Sequence, residues 1–146
     1  MASPGDPHLL PIGVVESPLR DRAAAPKQGY EGAPEASIVF EARVADGLDG
    51  IAPGDDLIVL TWLDRARRDV LRTRPRDDPA NPEQGVFNTR SPDRPNPIGL
   101  HRVRVVDIDG LRIRVRDLEA LDGTPVVDVK PLLAPVDDPA PGACPT

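Results

Sequence analysis

Gly85-Val-Phe-Asn-Thr-Arg-Ser-Pro-Asp-Arg-Pro-Asn-Pro-Ile-Gly-Leu100 is the densest concentration of chemically useful side chains in this 146-residue sequence. Prolines at 92, 95 and 97 pin φ and remove amide donors, so the segment cannot join a central ladder and is predicted to be a rigid, extended loop. Such a loop presents Asn88, Thr89, Arg90, Ser91, Arg94 and Asn96 at fixed positions. Guanidinium, amide and hydroxyl groups in that array suit phosphates, carboxylates and base edges. The same composition also suits a proline-stiffened turn with solvated arginines, and composition alone weighs the two readings evenly.

Other chemistries lack their residues. No GxGxxG follows a predicted strand, and neither a GxxxxGK(S/T) loop nor an HExxH pair occurs, which leaves dinucleotide, P-loop and zincin chemistry unsupported. There are two histidines, His8 and His101, and one cysteine, Cys144, so neither a His/Cys metal centre nor an intramolecular disulfide is expected. His101 falls on a strand beside alternating arginines, where a surface or packing role outweighs catalysis. A reducing, cytoplasmic setting fits the cysteine usage. No apolar run approaches the roughly 20 residues that cross a bilayer, and the N-terminus has no basic-then-apolar leader, so no membrane association is expected.

The elements that must position the loop are strands. β-branched residues cluster in seven short runs, at 9–15, 37–44, 56–63, 69–72, 98–106, 111–118 and 126–133. The clearest is Leu111-Arg-Ile-Arg-Val-Arg-Asp-Leu118, where Leu111, Ile113 and Val115 alternate with Arg112, Arg114 and Arg116. His101-Arg-Val-Arg-Val105 alternates likewise, and Asp109-Gly110 is a hairpin turn pair, so 98–118 is predicted to be an antiparallel hairpin. No sustained 3.6-residue period with caps occurs; Pro53 to Arg67 reads better as a buried strand with loop flanks than as a helix. Short strands between Gly/Pro turns imply a mainly β single domain, a sandwich or small barrel, over residues 9–133. Residues 1–8 and 134–146 are Pro, Gly and Asp rich and are predicted to be frayed tails. Thr73 to Thr89, with three prolines, is too long for a mere turn.

The net charge of -6 argues against indiscriminate coating of nucleic acid, but it is unevenly spread. Ten arginines face five acidic residues between 65 and 104, leaving eight basic and nineteen acidic residues elsewhere. A basic central stripe on an acidic body can seat one polyanion.

The Thr89 to Leu100 block closely resembles the signature TRSPxRPNPIGL of the TrmO family of S-adenosylmethionine-dependent tRNA methyltransferases. Further blocks resemble that family in its order: Pro11-Ile-Gly-Val-Val-Glu-Ser-Pro18 with Pro26-Lys27-Gln28, Ala45-Asp-Gly-Leu-Asp-Gly50 before the 57–63 strand, and Leu121-Asp-Gly-Thr-Pro-Val-Val-Asp-Val-Lys-Pro131. The resemblance spans residues 11–137. It implies a small antiparallel β-barrel of about seven strands carrying a long Pro-rich loop, a homodimer, and methylation at N6 of threonylcarbamoyladenosine beside the anticodon of a tRNA anticodon stem-loop. Carried over by position, S-adenosyl-L-methionine contacts would fall on Pro26, Lys27, Gln28, Asp64, Arg65, Arg90, Leu100, Leu121, Asp122, Gly123 and Thr124. Arg94, Asn96 and Lys130 are the expected substrate contacts, Lys130 either as a counter-charge for a threonyl carboxylate or as a solvated edge lysine. Asp122 either faces the donor's cationic groups or simply holds its Leu-Asp-Gly-Thr turn.

The sequence departs from the family at Lys27, where Arg is usual, with a loss of bidentate geometry but not of charge. It also departs at Asp64, usually His; at Asp93, often aromatic; and at Leu132, usually Tyr. No counterpart of the C-terminal domain of larger members is expected. No catalytic base is identifiable, and in-line methyl transfer asks chiefly for alignment and exclusion of water. The arginines at 65, 67, 68, 72, 74 and 76 would pair with tRNA phosphates in a salt-dependent way or stay a solvated face. Stacking platforms are scarce, with only Tyr30, Phe40, Trp62 and Phe87. Rival readings are a methyltransferase of this fold acting on a small molecule, and a non-catalytic module that binds S-adenosylmethionine.

Overall fold

The computed structural model describes residues 7–20, 34–75 and 78–133. Alternation of apolar and polar side chains sets its architecture. In β3 (Asp56–Trp62), Leu57, Val59 and Thr61 are buried while their neighbours are partly open, and β6 (Ile98–Asp109) and β7 (Arg112–Arg116) follow the same rule. With β1 (Gly13–Glu16), β2 (Ala36–Phe40) and β8 (Pro125–Pro131), these strands pair antiparallel in the order β1-β2-β7-β6-β3-β8. Because β8 also pairs back onto β1, the six-stranded sheet closes into a barrel. Its interior is filled by Val15, Ile38, Phe40, Leu57, Val59, Val103, Val105, Ile113, Val115 and Val126.

The outward face of β6 and β7 is correspondingly charged. Arg104 makes a two-pronged contact with Asp56 at 3.0 and 3.2 Å, Arg112 pairs with Glu16, and Glu35 lies 3.8 Å from both Arg114 and Arg116. Exposed pairs of this kind add little stability each; their main effect is to neutralise a row of arginines on a net acidic surface.

Several expected boundaries shift. The barrel holds six strands, not seven, because the 69–72 run reduces to β4 (Arg72–Thr73), which pairs with β5 (Gln84–Gly85) in a separate two-stranded ribbon. That run has no second apolar residue in phase to bury: Leu71 is exposed, and Asp69 faces solvent bonded to Arg67. The first strand begins at Gly13, since Leu9 and Leu10 stay exposed, and the second ends at Phe40, after which Ala42–Leu48 coils as a 3-10 turn. The 73–89 loop is not structureless, carrying β5 and a 3-10 turn at Val86–Asn88. The 98–118 hairpin forms as the alternation dictates, with Gly110 at φ 60° in its turn and a bulge between Val105 and Asp107. No helix among the described residues is long and apolar enough to cross a membrane.

Three chain segments gather at one end of the barrel. The exit of β3 runs through Leu63 to Arg68, the Pro-rich loop enters β6, and the chain leaving β7 turns back into β8 through 118–124. Asp117, at φ 68°, bends the chain out of β7, a left-handed conformation that Asp tolerates better than most residues. Gly123 at φ 85° closes the final turn, where a side chain would be strained.

Candidate functional site

The Pro-rich loop is clamped to the β3 exit by hydrogen bonds that the charged residues there provide. Arg67 N donates to Asp93 Oδ1 at 2.8 Å and Arg94 N donates back to the Arg67 carbonyl at 3.0 Å. Arg68 donates to the Pro95 carbonyl at 2.8 Å and to Asn96 Oδ1 at 3.1 Å while its guanidinium sits 5.2 Å from the Trp62 ring centroid. Leu63 N reaches the Pro97 carbonyl at 2.8 Å. The two-residue Arg67–Asp69 ion pair lies beside this clamp; its hydrogen bond holds the Asp69 carboxyl below the usual aspartate range. The prolines and these hydrogen bonds thus stiffen the loop together.

Arg94 is turned inward. Its guanidinium donates to the carbonyls of Ser91, Val86 and Thr89, at 2.8, 2.6 and 2.5 Å. Three of its five N–H donors thus hold the loop's own backbone, a use to which the planar fork is well matched, and the residue also borders the cavity described below. Asn96 is likewise engaged with Arg68, and Lys130 sits exposed on β8, 3.1 Å from Asp128. Arg72 and Arg74 bond to Glu83 and to the Asn81 carbonyl, so every described arginine of the 65–74 run has an intramolecular partner.

Between these segments lies a cavity of about 420 Å³, bounded by Leu60, Leu63 to Ala66, Thr89, Arg90, Pro92, Arg94, Ile98 to His101, Glu119 to Leu121 and Thr124. That size is in the range of small-molecule sites. The structure therefore brings Asp64, Arg65, Arg90, Leu100, Leu121 and Thr124 together from three regions that lie far apart in sequence. Arg90 is exposed and has no hydrogen-bond or ion-pair partner among the described residues. Arg65 instead braces the wall, donating to the carbonyls of Arg20 at 2.7 Å and Asp122 at 3.2 Å. Thr124 Oγ1 caps the Leu121 carbonyl at 2.7 Å, fixing the turn on which Leu121 projects.

Asp122 and Gly123 do not line the cavity. Asp122 Oδ1 accepts from Ser17 N at 3.0 Å and its other oxygen lies 3.7 Å from Arg20, so it ties the turn to the end of β1. Pro26, Lys27 and Gln28 lie outside the described residues.

The sequence reading missed His101 and Glu119. His101 is buried, correcting the surface alternative, and both ring nitrogens are engaged: Nδ1 with Glu119 Oε1 at 2.6 Å and Nε2 with Thr61 Oγ1 at 2.7 Å. A carboxylate can only accept, so Nδ1 carries the proton and, in the neutral ring, Nε2 accepts from the threonine hydroxyl. Gly99 makes the arrangement possible. A Cβ there would collide with Thr61 Oγ1 and stand 2.7 Å from His101 Nε2. The signal was available: His101 lies in phase with Val103 and Val105, the buried side of its strand, and not with Arg102 and Arg104. Among the described residues no three His, Cys, Asp or Glu side chains converge as a metal centre requires.

A closed six-stranded antiparallel barrel with a cavity where a proline-stiffened loop meets one end defines a small-molecule-binding barrel, distinct from doubly wound cofactor folds. The chain belongs to the family of the tRNA-methyltransferase O N-terminal domain, whose sequence model matches residues 14–138. It is 45% identical over 129 residues to an S-adenosyl-L-methionine-binding protein of Archaeoglobus fulgidus, covering 88% of this chain and 91% of that one. A probable S-adenosyl-L-methionine-binding protein of Methanothermobacter thermautotrophicus is 43% identical, with 88% and 92% covered. The crystal structure of TrmO from Pseudomonas aeruginosa superposes with a TM-score of 0.75 at 26% identity, over 95% of this chain and 61% of that one. The chain thus spans about three-fifths of the length of the solved TrmO chains it matches.

Proposed function

We propose that this chain is an S-adenosyl-L-methionine-dependent methyltransferase acting on N6 of threonylcarbamoyladenosine beside a tRNA anticodon, as a homodimer. The observation that carries the reading is the convergence on one cavity of the loop Thr89 to Leu100, the β3 exit at Asp64 and Arg65, and the turn at Leu121 to Thr124.

The cavity's chemistry fits the donor. A sulfonium-bearing amino-acid nucleoside needs an apolar seat for its base, a cation for its carboxylate and an anion for its ammonium and sulfonium. Leu60, Leu63, Leu100 and Leu121 supply the first, Arg90 the second, and Asp64 the third. Bound there, S-adenosylmethionine supplies an electrophilic methyl group. The residues of the chain hold it in line with the acceptor and keep water out, which is most of what a single displacement requires. Ile98 and Leu100, at 44% and 45% exposure, leave an apolar rim that a second subunit or the RNA would cover. Exposed arginines around the β3 exit offer phosphate contacts, and Phe87, 79% exposed beside the loop, offers a stacking face.

Incubating the purified chain with methyl-labelled S-adenosylmethionine and tRNA that carries threonylcarbamoyladenosine, then analysing nucleosides, tests the reading. The expected result is label in the N6-methylated nucleoside. Cofactor binding without transfer to any RNA would instead favour a binding module, which the names of the archaeal relatives keep in view; transfer to a small molecule alone would move the substrate.

A further inference from the structure

We infer that Glu119, aligned by His101, is the group that takes the proton from the nitrogen being methylated. The inference rests on the methyltransferase reading above and supplies the base that the sequence leaves unidentified.

Charge balance requires such a group. As the new nitrogen–carbon bond forms, the carbon–sulfur pair stays on sulfur and leaves a neutral thioether, so the positive charge brought in by the sulfonium must depart as the N–H proton. The ionisable groups lining the cavity are Asp64, Arg65, Arg90, Arg94, His101 and Glu119. The arginines cannot accept a proton at any relevant pH. Asp64 is exposed to solvent, and both nitrogens of His101 are occupied. Glu119 remains, with 15% of its side chain exposed, Oε1 bonded to His101 and Oε2 without a partner among the described residues.

The construction around it goes beyond what packing needs. Taking a histidine and a glutamate out of water is costly, and apolar residues would fill the space more cheaply. Instead Thr61, His101 and Glu119 form a continuous chain from the barrel interior to the cavity wall, with Gly99 kept free of a side chain to admit it. Thr61 fixes the ring and the ring fixes one carboxylate oxygen, which leaves the other oriented and free to receive a proton. His101 is a positioning residue in this scheme, and Glu119 is the catalytic one.

Single-turnover transfer to an anticodon stem-loop carrying the hypermodified adenosine, measured beside cofactor affinity and melting temperature, tests the assignment. Glu119→Gln keeps size and hydrogen bonding but cannot take the proton, and should slow transfer about 10²- to 10⁴-fold, the usual worth of a general base, with cofactor affinity unchanged. Glu119→Asp should recover part of that rate, and His101→Asn should lose less than Glu119→Gln. A wild-type rate in Glu119→Gln, equal rates in the Gln and Asp variants, or a loss of cofactor affinity that accounts for the whole effect would overturn the inference while the methyltransferase reading stands. A wild-type chain that binds the cofactor but transfers nothing would overturn both.

Discussion

Replacing Gly99 by alanine tests the packing logic of the site with one methyl group. Gly99 faces Thr61 across the β3–β6 ladder, and its missing side chain is the space into which the Thr61 hydroxyl and the His101 ring project. An added Cβ would lie 2.7 Å from His101 Nε2 and closer still to Thr61 Oγ1. Neither side chain can swing aside, because Thr61 is 0% and His101 4% exposed and the ring is also held by Glu119. Forcing a methyl group into such a site costs about 1–3 kcal/mol. Parting the Thr61–His101 bond strands a buried polar group and costs about 1–3 kcal/mol more. The expected destabilisation is therefore about 2–6 kcal/mol, which at about 3–5 °C per kcal/mol for a domain of this size lowers the melting temperature by roughly 6–30 °C. Urea and thermal unfolding followed by circular dichroism read it. Gly47→Ala is the control, since a Cβ there meets nothing within 4 Å, and it should stay within about 1 kcal/mol of wild type. A Gly99→Ala protein as stable as Gly47→Ala would show that the buried trio is not rigid and would refute the reasoning.

Three further outcomes are expected. Arg90→Ala, which removes the cavity's unpartnered guanidinium, should weaken S-adenosylmethionine binding about ten- to a hundredfold with little change in melting temperature, as titration calorimetry and a thermal melt would show. Arg94→Ala should behave in the opposite way, lowering thermal stability and impairing binding of every ligand together, because it frees the three carbonyls that define the loop; selective loss of RNA binding would contradict this. The hydrogen bond from Arg104 holds the Asp56 carboxyl below its ordinary 3.8, so Asp56 stabilises the fold above that pH and the contribution fades as acid protonates it. Asp56→Asn should accordingly be slightly less stable than wild type at neutral pH, with the difference closing as pH falls below about 3.8; a difference that grows in acid would contradict the sign.

The strands and the loop were legible because period-2 alternation and proline each act locally. Leu111 to Leu118 and His101 to Val105 read directly as a hairpin, and the three prolines of 92–97 announced a stiff segment. What escaped were matters of partnership. The 69–72 run looked like a strand from Val70 and Leu71 but had no apolar face in phase to bury, so tertiary packing withheld a place in the barrel. Arg94 looked like a ligand group by type, and only the folded loop reveals three carbonyls within its reach. His101 was assigned by its neighbours in sequence, although its phase with Val103 and Val105 placed it inside. Glu119 gave no local signal at all, because its role depends on a histidine 18 residues away brought near by the chain's return from β7.

Titration of the wild-type chain with S-adenosylmethionine and with its demethylated product, followed by calorimetry, probes the cavity's assignment most directly. Both ligands should bind at one site per chain with micromolar-scale affinity. No heat from either ligand at high protein concentration would contradict the assignment.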